Sequence, residues 1–145
     1  MKSPLLLLSL ALLGFSACQS DNKPAAGVEL ASRRLPEGLT YTLPTDQLFA
    51  PNDAKLTDQA GNSLEALAGQ LQKQQAKQLI IRCYTDEQGD EGKNLALTQE
   101  RVQSVGAWLR EHGVAAPVEL QGMGQANPGA AGQGRNRRLE VVVMQ

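Results

Sequence analysis

The 145-residue chain predicts an α/β (α+β) sandwich of order β-α-β-α-β-β, in which two main helices cover a small mixed sheet of about four strands. Three observations carry that expectation. Residues 78–84 (QLIIRCY) and 139–143 (LEVVV) have the apolar, β-branched character of strands. Leu64, Leu67, Ala68 and Leu71 fall at i, i+3, i+4 and i+7, one face of a helix. The segment from Asn94 to His112 repeats the helical spacing over a longer run and stops at Gly113, a good residue just past a helix end.

The first element is not part of the sandwich. Met1-Lys2 precedes a short leucine-rich apolar run from Leu5 to Phe15, too short to span a bilayer and followed by small residues, so 1–17 reads as a signal peptide. Phe15-Ser16-Ala17-Cys18 resembles the lipobox of bacterial lipoproteins. The resemblance implies cleavage before Cys18 and lipidation of that residue; with Gln19 in place of an aspartate, it also implies the outer membrane, with the body of the protein facing the periplasm. An ordinary signal peptide with a cysteine nearby is the alternative. Two or three acyl chains, at about 0.8 kcal/mol per buried methylene, would anchor firmly.

Residues 18–38 read as the lipidated N-terminus and a flexible linker, polar and dotted with Pro, Gly and Ala, leaving 39–145 as the domain. Thr40 to Leu43 alternates and is the first expected strand, with Leu48-Phe49 continuing it after a break. Thr57 is the expected N-cap of a helix of about eighteen residues. In 78–84, Leu79, Ile81 and Cys83 face one way and Ile80, Arg82 and Tyr84 the other, which suits an inner strand covered on both faces. Leu95, Thr98, Val102, Val105 and Leu109 form the expected core face of the long helix. Val118 to Gln121 and Leu139 to Val143 supply the last two strands.

Charge and cysteine content exclude several functions. Lys2 is the only charge in 1–17, so the mature chain carries 13 basic against 15 acidic residues, which argues against nucleic acid as a partner. With Cys18 acylated, Cys83 is a lone thiol, and neither a disulfide framework nor a metal set is available. Cys83 in a strand reads as a small buried hydrophobe. The single His112 sits at a helix end, where the helix dipole explains it better than catalysis does. The glycines at 122, 124 and 129 follow the wrong element for a dinucleotide loop. No enzyme activity and no cofactor are expected.

The residues that point to a function are Asp86 and Arg101. Asp86 ends a strand, and a glycine-bearing loop (87–94) leads back into the helix that carries Arg101, so strand end and helix start come close. Asn94, Leu97, Arg101 and Trp108 form a stripe beside the core stripe, which puts Arg101 at the core edge. Such a pair either forms an internal salt bridge or is held apart to take an ammonium and a carboxylate.

The region from Phe49 onward resembles the OmpA-like peptidoglycan-binding domain family. It carries Phe49-Ala50-Pro51-Asn52, Cys83-Tyr84-Thr85-Asp86, Asn94 with Leu97-Thr98 and Arg101-Val102, Gly122-Met123-Gly124 with Pro128, and Asn136-Arg137-Arg138-Leu139-Glu140, in family order and at nearly family spacing. The resemblance implies peptidoglycan as the partner, bound non-covalently through the diaminopimelate of its stem peptide, with outer membrane and cell wall tethered as a result. By position, Asp86 would take the ammonium and Arg101 the carboxylate. Asn52 would also contact the ligand, and Thr85, Asn94 and Leu97 would shape the pocket. Arg137 and Arg138 would brace the site or the last strand. Cys83-Tyr84 replaces the family's Gly-His, Ala50 a common Asp, the segment between Pro128 and Gly132 is short, and Gln133 stands where Arg is usual. The alternative is an OmpA-like adaptor that docks onto envelope proteins, for which Trp108 would be a contact anchor.

Overall fold

The structure, a computed structural model, describes residues 30–126 and 136–145. The expected signal peptide, Cys18 and most of the expected linker lie outside the described residues, as do Pro128, Gly129 and Gln133.

Among the described residues five strands, not about four, form one sheet of order β1-β2-β5-β3-β4. The additional strand is β1 (Ala31–Leu35), inside the segment expected to be linker. Its residues are almost all exposed and give no apolar alternation, so its signal lies in the hairpin that holds it. Gly38 turns that hairpin at φ 153°, a conformation that favours glycine, and a β-carbon there would collide with the Val143 carbonyl. β2 (Gly38–Pro44) then pairs antiparallel with β5 (Arg138–Met144), and β5 pairs antiparallel with β3 (Gln78–Tyr84). β4 (Val118–Gly124) runs parallel to β3 at the edge. Leu48-Phe49 does not continue the first strand. A short helix α1 (Thr45–Leu48) intervenes, and Phe49 pairs as an isolated bridge with Leu56.

The two main helices are displaced from their expected starts. α2 (Ala60–Gln74) begins three residues after Thr57, whose carbonyl accepts from Ala60 N at 3.0 Å while its side chain caps nothing in that helix. α3 (Glu91–Glu111) begins earlier than Asn94, because Asp90 is its N-cap: Oδ1 accepts from Lys93 N at 2.8 Å. Gly113 follows the helix at φ 84°, as its place past the end requires.

Leu64, Leu67 and Leu71 of α2 and Val102, Val105 and Leu109 of α3 pack with Leu79, Ile81, Cys83, Leu139, Val141 and Val143 in one core. Burying side chains of this size contributes about 1.5–3 kcal/mol each before the entropy of ordering them is subtracted. β3 is an inner strand, but its second face is not covered as the first is. Ile80, Arg82 and Tyr84 lie outside that core, and long side chains cover them in place of a helix. The Arg138 guanidinium sits 4.0 Å over the Tyr84 ring, and Glu37, from the β1–β2 turn, meets Arg82 through two hydrogen bonds of 3.0 Å.

Leu95 corrects the expected core face of α3: it is 51% exposed. Its backbone stands beside Gly124, the last residue of β4, so Leu95 lies over the end of that strand and not over the core. The next turns lie directly on β4. A β-carbon at Gly122 would fall 2.5 Å from Gln99 N, and Gly124 N donates to Thr98 Oγ1 at 2.9 Å. The two glycines thus let strand and helix backbones approach each other.

Candidate functional site

The register brings the candidate residues to one end of the sheet. Arg138 of β5 pairs with Pro44 of β2 on one side and with Tyr84 of β3 on the other. The C-terminal ends of β2 and β3 therefore flank the N-terminal end of β5. Asp46, Asp86 and Arg137 lie just beyond those three ends. Gly124, ending β4, joins the same edge by pairing with Tyr84 and accepting a 2.8 Å hydrogen bond from Thr85 N.

Arg101 is more deeply placed than a core-edge position implies: it is 6% exposed. Its Nε donates to the Asp53 carbonyl at 2.8 Å, its Nη2 reaches the Ala50 carbonyl at 3.4 Å, and its guanidinium carbon lies 4.9 Å over the Phe49 ring. The backbone that presents those carbonyls is a tight turn. Asp53 N donates to the Ala50 carbonyl at 3.2 Å, Pro51 takes the second position, and Asn52 takes the third at φ 55°. Pro at the second position and Asn at a left-handed third position are what such a turn favours. Asn52 itself is exposed, and its role among the described residues is to shape this cradle. Ser104 Oγ, three residues along α3, ties the same loop down through the Ala54 carbonyl at 2.7 Å.

Among the described residues no acidic side chain forms an ion pair with Arg101. Burial pulls its pKa below the ordinary arginine value, with the Coulombic pull of Cys83, Asp46 and Asp53 opposing that shift. Cys83, beneath it, is fully buried, and burial pushes its thiol up to about 12.

Asp86 stands apart from Arg101. Its Oδ1 accepts from Gln88 N at 3.2 Å, shaping the loop, and its Oδ2 lies 3.9 Å from Arg137 Nε, beyond hydrogen-bond length. Arg137 is closer to Asp46, at 3.3 Å. Thr85 is buried, and its Oγ1 has no hydrogen-bond partner among the described residues; Thr45 Oγ1 at the start of α1 is in the same condition. Asn94 uses its side-chain amide to hold the loop, donating to the Gln88 carbonyl at 2.8 Å. Leu97 is half-buried on the same helix.

The sheet end thus carries Asp86 and Thr85 beside Arg137 and Asp46, with Asn94 as a brace of the loop, while Arg101 sits on the Asn52 turn and is not in contact with Asp86 among the described residues. Sequence reasoning missed Asp46, which shares Arg137 with Asp86, and the carbonyls of Ala50 and Asp53. The Pro-Thr-Asp start of a helical turn at 44–46 was the available signal for Asp46. Trp108, away from these residues, stacks on His112 with ring centroids 3.6 Å apart. Among the described residues no group of three or more His, Cys, Asp or Glu comes together as metal ligands. No described helix is long and apolar enough to cross a membrane.

Known proteins resemble this chain in sequence and in fold. The chain is 32% identical over 159 aligned residues to the outer-membrane lipoprotein YfiB of Pseudomonas aeruginosa, covering 97% of this chain and 94% of that protein. The crystal structure of the peptidoglycan-associated lipoprotein from Burkholderia pseudomallei superposes with a TM-score of 0.56 at 29% identity, over 70% of this chain and 87% of that one. A MotB-like protein from Desulfovibrio vulgaris shares the fold, with a TM-score of 0.70 at 21% identity over 80% of this chain and 81% of that one. The relatives named here are a lipoprotein of the outer membrane, a peptidoglycan-associated lipoprotein and a MotB-like protein, and none is named for a catalytic activity. The profile of the OmpA family matches residues 48–140, from the last residue of α1 into β5 and including Asn52, Thr85, Asp86 and Arg101, and the chain belongs to that family.

Proposed function

We propose that this chain is an outer-membrane lipoprotein that binds peptidoglycan non-covalently through the diaminopimelate of the stem peptide and so links membrane to wall. Asp86 takes the ligand's ammonium and Arg101 its carboxylate. The observation that carries this reading is the buried guanidinium of Arg101, which has carbonyl partners but no acid. A buried cation with no acid in contact is costly, Asp46 and Asp53 only partly offset its burial, and a ligand carboxylate would supply charge-assisted hydrogen bonds to its remaining N–H groups. At the same sheet end, Asp86 Oδ2 has only a long ion pair of 3.9 Å to Arg137, and Thr85 Oγ1 has no hydrogen-bond partner among the described residues. Cys18 carries the lipid in this scheme. With β1 beginning at Ala31, the residues from 19 to 30 can span at most about 42 Å fully extended.

Co-sedimentation with purified sacculi tests the proposal. Wild type should be retained, Asp86→Ala and Arg101→Ala should not, and free meso-diaminopimelate should release the wild type where lysine does not. Equal retention of all three proteins would sink it. For the anchor, Cys18→Ser should leave the protein free in the periplasm; continued membrane association would count against acylation.

A further inference from the structure

We infer that Asp46 is a positioning residue for the ammonium subsite: it holds Arg137 away from Asp86 and so keeps that carboxylate open to a cationic ligand. The inference rests on the ligand reading proposed above and adds to it a residue that the sequence patterns did not single out.

Arg137 lies between two carboxylates and is not shared equally. Its Nη2 is 3.3 Å from Asp46 Oδ2, whereas its Nε is 3.9 Å from Asp86 Oδ2. The backbone reinforces the bias, because Thr45 N donates to the Arg137 carbonyl at 3.1 Å. α1 therefore grips Arg137 twice, once by main chain and once by side chain. Asp86 is left with one oxygen on Gln88 N and the other about 1 Å short of a bond to Arg137. An ammonium arriving at Oδ2 competes only with the longer and weaker of the two ion pairs that Arg137 makes. Take away the Asp46 charge, and the nearest carboxylate for Arg137 is Asp86 itself. Arg137 would then compete with the ligand from inside the protein. Arg137 and Asp46 are both exposed, 60% and 63%, so the effect is that of a solvated ion pair and is modest.

The test is the affinity of meso-diaminopimelate stem peptide, by calorimetric titration, for wild type, Asp46→Asn, Asp46→Glu, Arg137→Gln and the double variant Asp46→Asn/Arg137→Gln, with Asp86→Ala alongside. Asp46→Asn should weaken binding about two- to five-fold, the upper part of the range an exposed ion pair sets. Asp46→Glu should restore it, and Arg137→Gln should bind at least as well as wild type. Asp46→Asn should cost nothing further in the Arg137→Gln background, since its effect runs through Arg137. A penalty that persists in that background would mean Asp46 attracts the ligand directly, and the inference fails. It fails also if Asp46→Asn is neutral in the wild-type background, or if Arg137→Gln loses binding and so marks Arg137 as a ligand contact. Asp86→Ala separates the two levels. If it binds as wild type does, the ligand reading falls and this inference with it; if it loses binding while Asp46→Asn does not, only this inference falls.

Discussion

The Asp86 carboxylate stands 3.9 Å from the guanidinium of Arg137 and forms no ion pair with Arg101, the base fifteen residues further along the chain. Opposite charges at one end of a sheet would ordinarily close on each other. Here each has been given other neighbours. Arg101 is held by the Ala50–Asp53 turn and the Phe49 ring, and Asp86 by the loop it caps at Gln88. Under the proposed function, that separation leaves the acid and the base each to meet one charge of the same ligand.

Replacing Arg101 separates charge from geometry. Arg101→Ala should abolish retention on sacculi and lower stability by about 1–3 kcal/mol, since it strips hydrogen bonds from the carbonyls of Ala50 and Asp53. Arg101→Lys keeps the charge but not the planar fork, and should bind at least about tenfold more weakly because one ammonium cannot serve the turn and a carboxylate together. Thermal melts beside the sedimentation assay read both effects. Wild-type binding by the lysine variant would show that a point charge suffices.

Gly122 should resist substitution for a reason unconnected with flexibility. A β-carbon there meets Gln99 N at 2.5 Å and Gln99 Cα at 2.7 Å, backbone atoms of α3 that cannot step aside. Gly122→Ala should therefore cost about 1–3 kcal/mol by forcing α3 off β4. Gly69, inside α2 with nothing within 4 Å of its would-be β-carbon, is the control. Gly69→Ala should stabilise by about 0.5–1 kcal/mol, as helix propensity dictates. Urea titration of the two variants gives both signs.

Which features could be read in advance follows from where the information lies. The core faces of α2 and of the later turns of α3 are visible because burial on one side of a helix leaves a periodic trace at Leu64, Leu67, Leu71, Val102, Val105 and Leu109. β1 leaves no such trace, since Ala31–Leu35 buries almost nothing and is held by backbone pairing to β2 alone. Leu95 misleads because periodicity records a face without recording where the sheet beneath it ends. Within the site, Asp86 and Arg101 are legible from residue type and motif. That Arg101 rests on the Ala50 and Asp53 carbonyls, 51 and 48 residues away, is a product of the tertiary fold and has no local signature. The Asp46–Arg137 contact, across 91 positions, is of the same kind.

Glu37 and Arg82 should make stability depend on acid pH. The hydrogen bonds from Arg82 hold the Glu37 carboxyl below its usual range, so the pair contributes fully above the unfolded value near 4.5 and is lost as pH falls through the lower folded value. With the Glu37 side chain 40% exposed, the contribution is at most about 1 kcal/mol. Glu37→Gln should therefore be less stable than wild type at pH 7 and equal to it once the carboxyl is protonated. A difference that stays constant between pH 7 and pH 2 would assign the effect to packing of the β1–β2 turn.

Cys83 should weaken the fold at the opposite end of the pH scale. Burial raises its thiol from 9.0 to about 12, so the folded state keeps it neutral where the unfolded chain already ionises it. Below pH 9 both states are protonated and nothing changes. Above it, the unfolded state gains about 1.4 kcal/mol for each further pH unit, until the folded thiol also ionises near 12. Cys83→Ala removes that dependence, at a price of about 1 kcal/mol for the small cavity it leaves at neutral pH. The stability difference between the two proteins should thus shrink and then reverse as pH rises from 8 to 11. Comparing the variants, not the absolute curves, cancels the lysines and tyrosines that titrate in the same range. In a Cys18→Ser background, where Cys83 is the sole thiol, alkylation at pH 8 should require denaturant. Ready labelling of the folded protein would mean that the strand end beneath Arg101 opens to solvent, and the buried-cation account of the site would have to be given up with it.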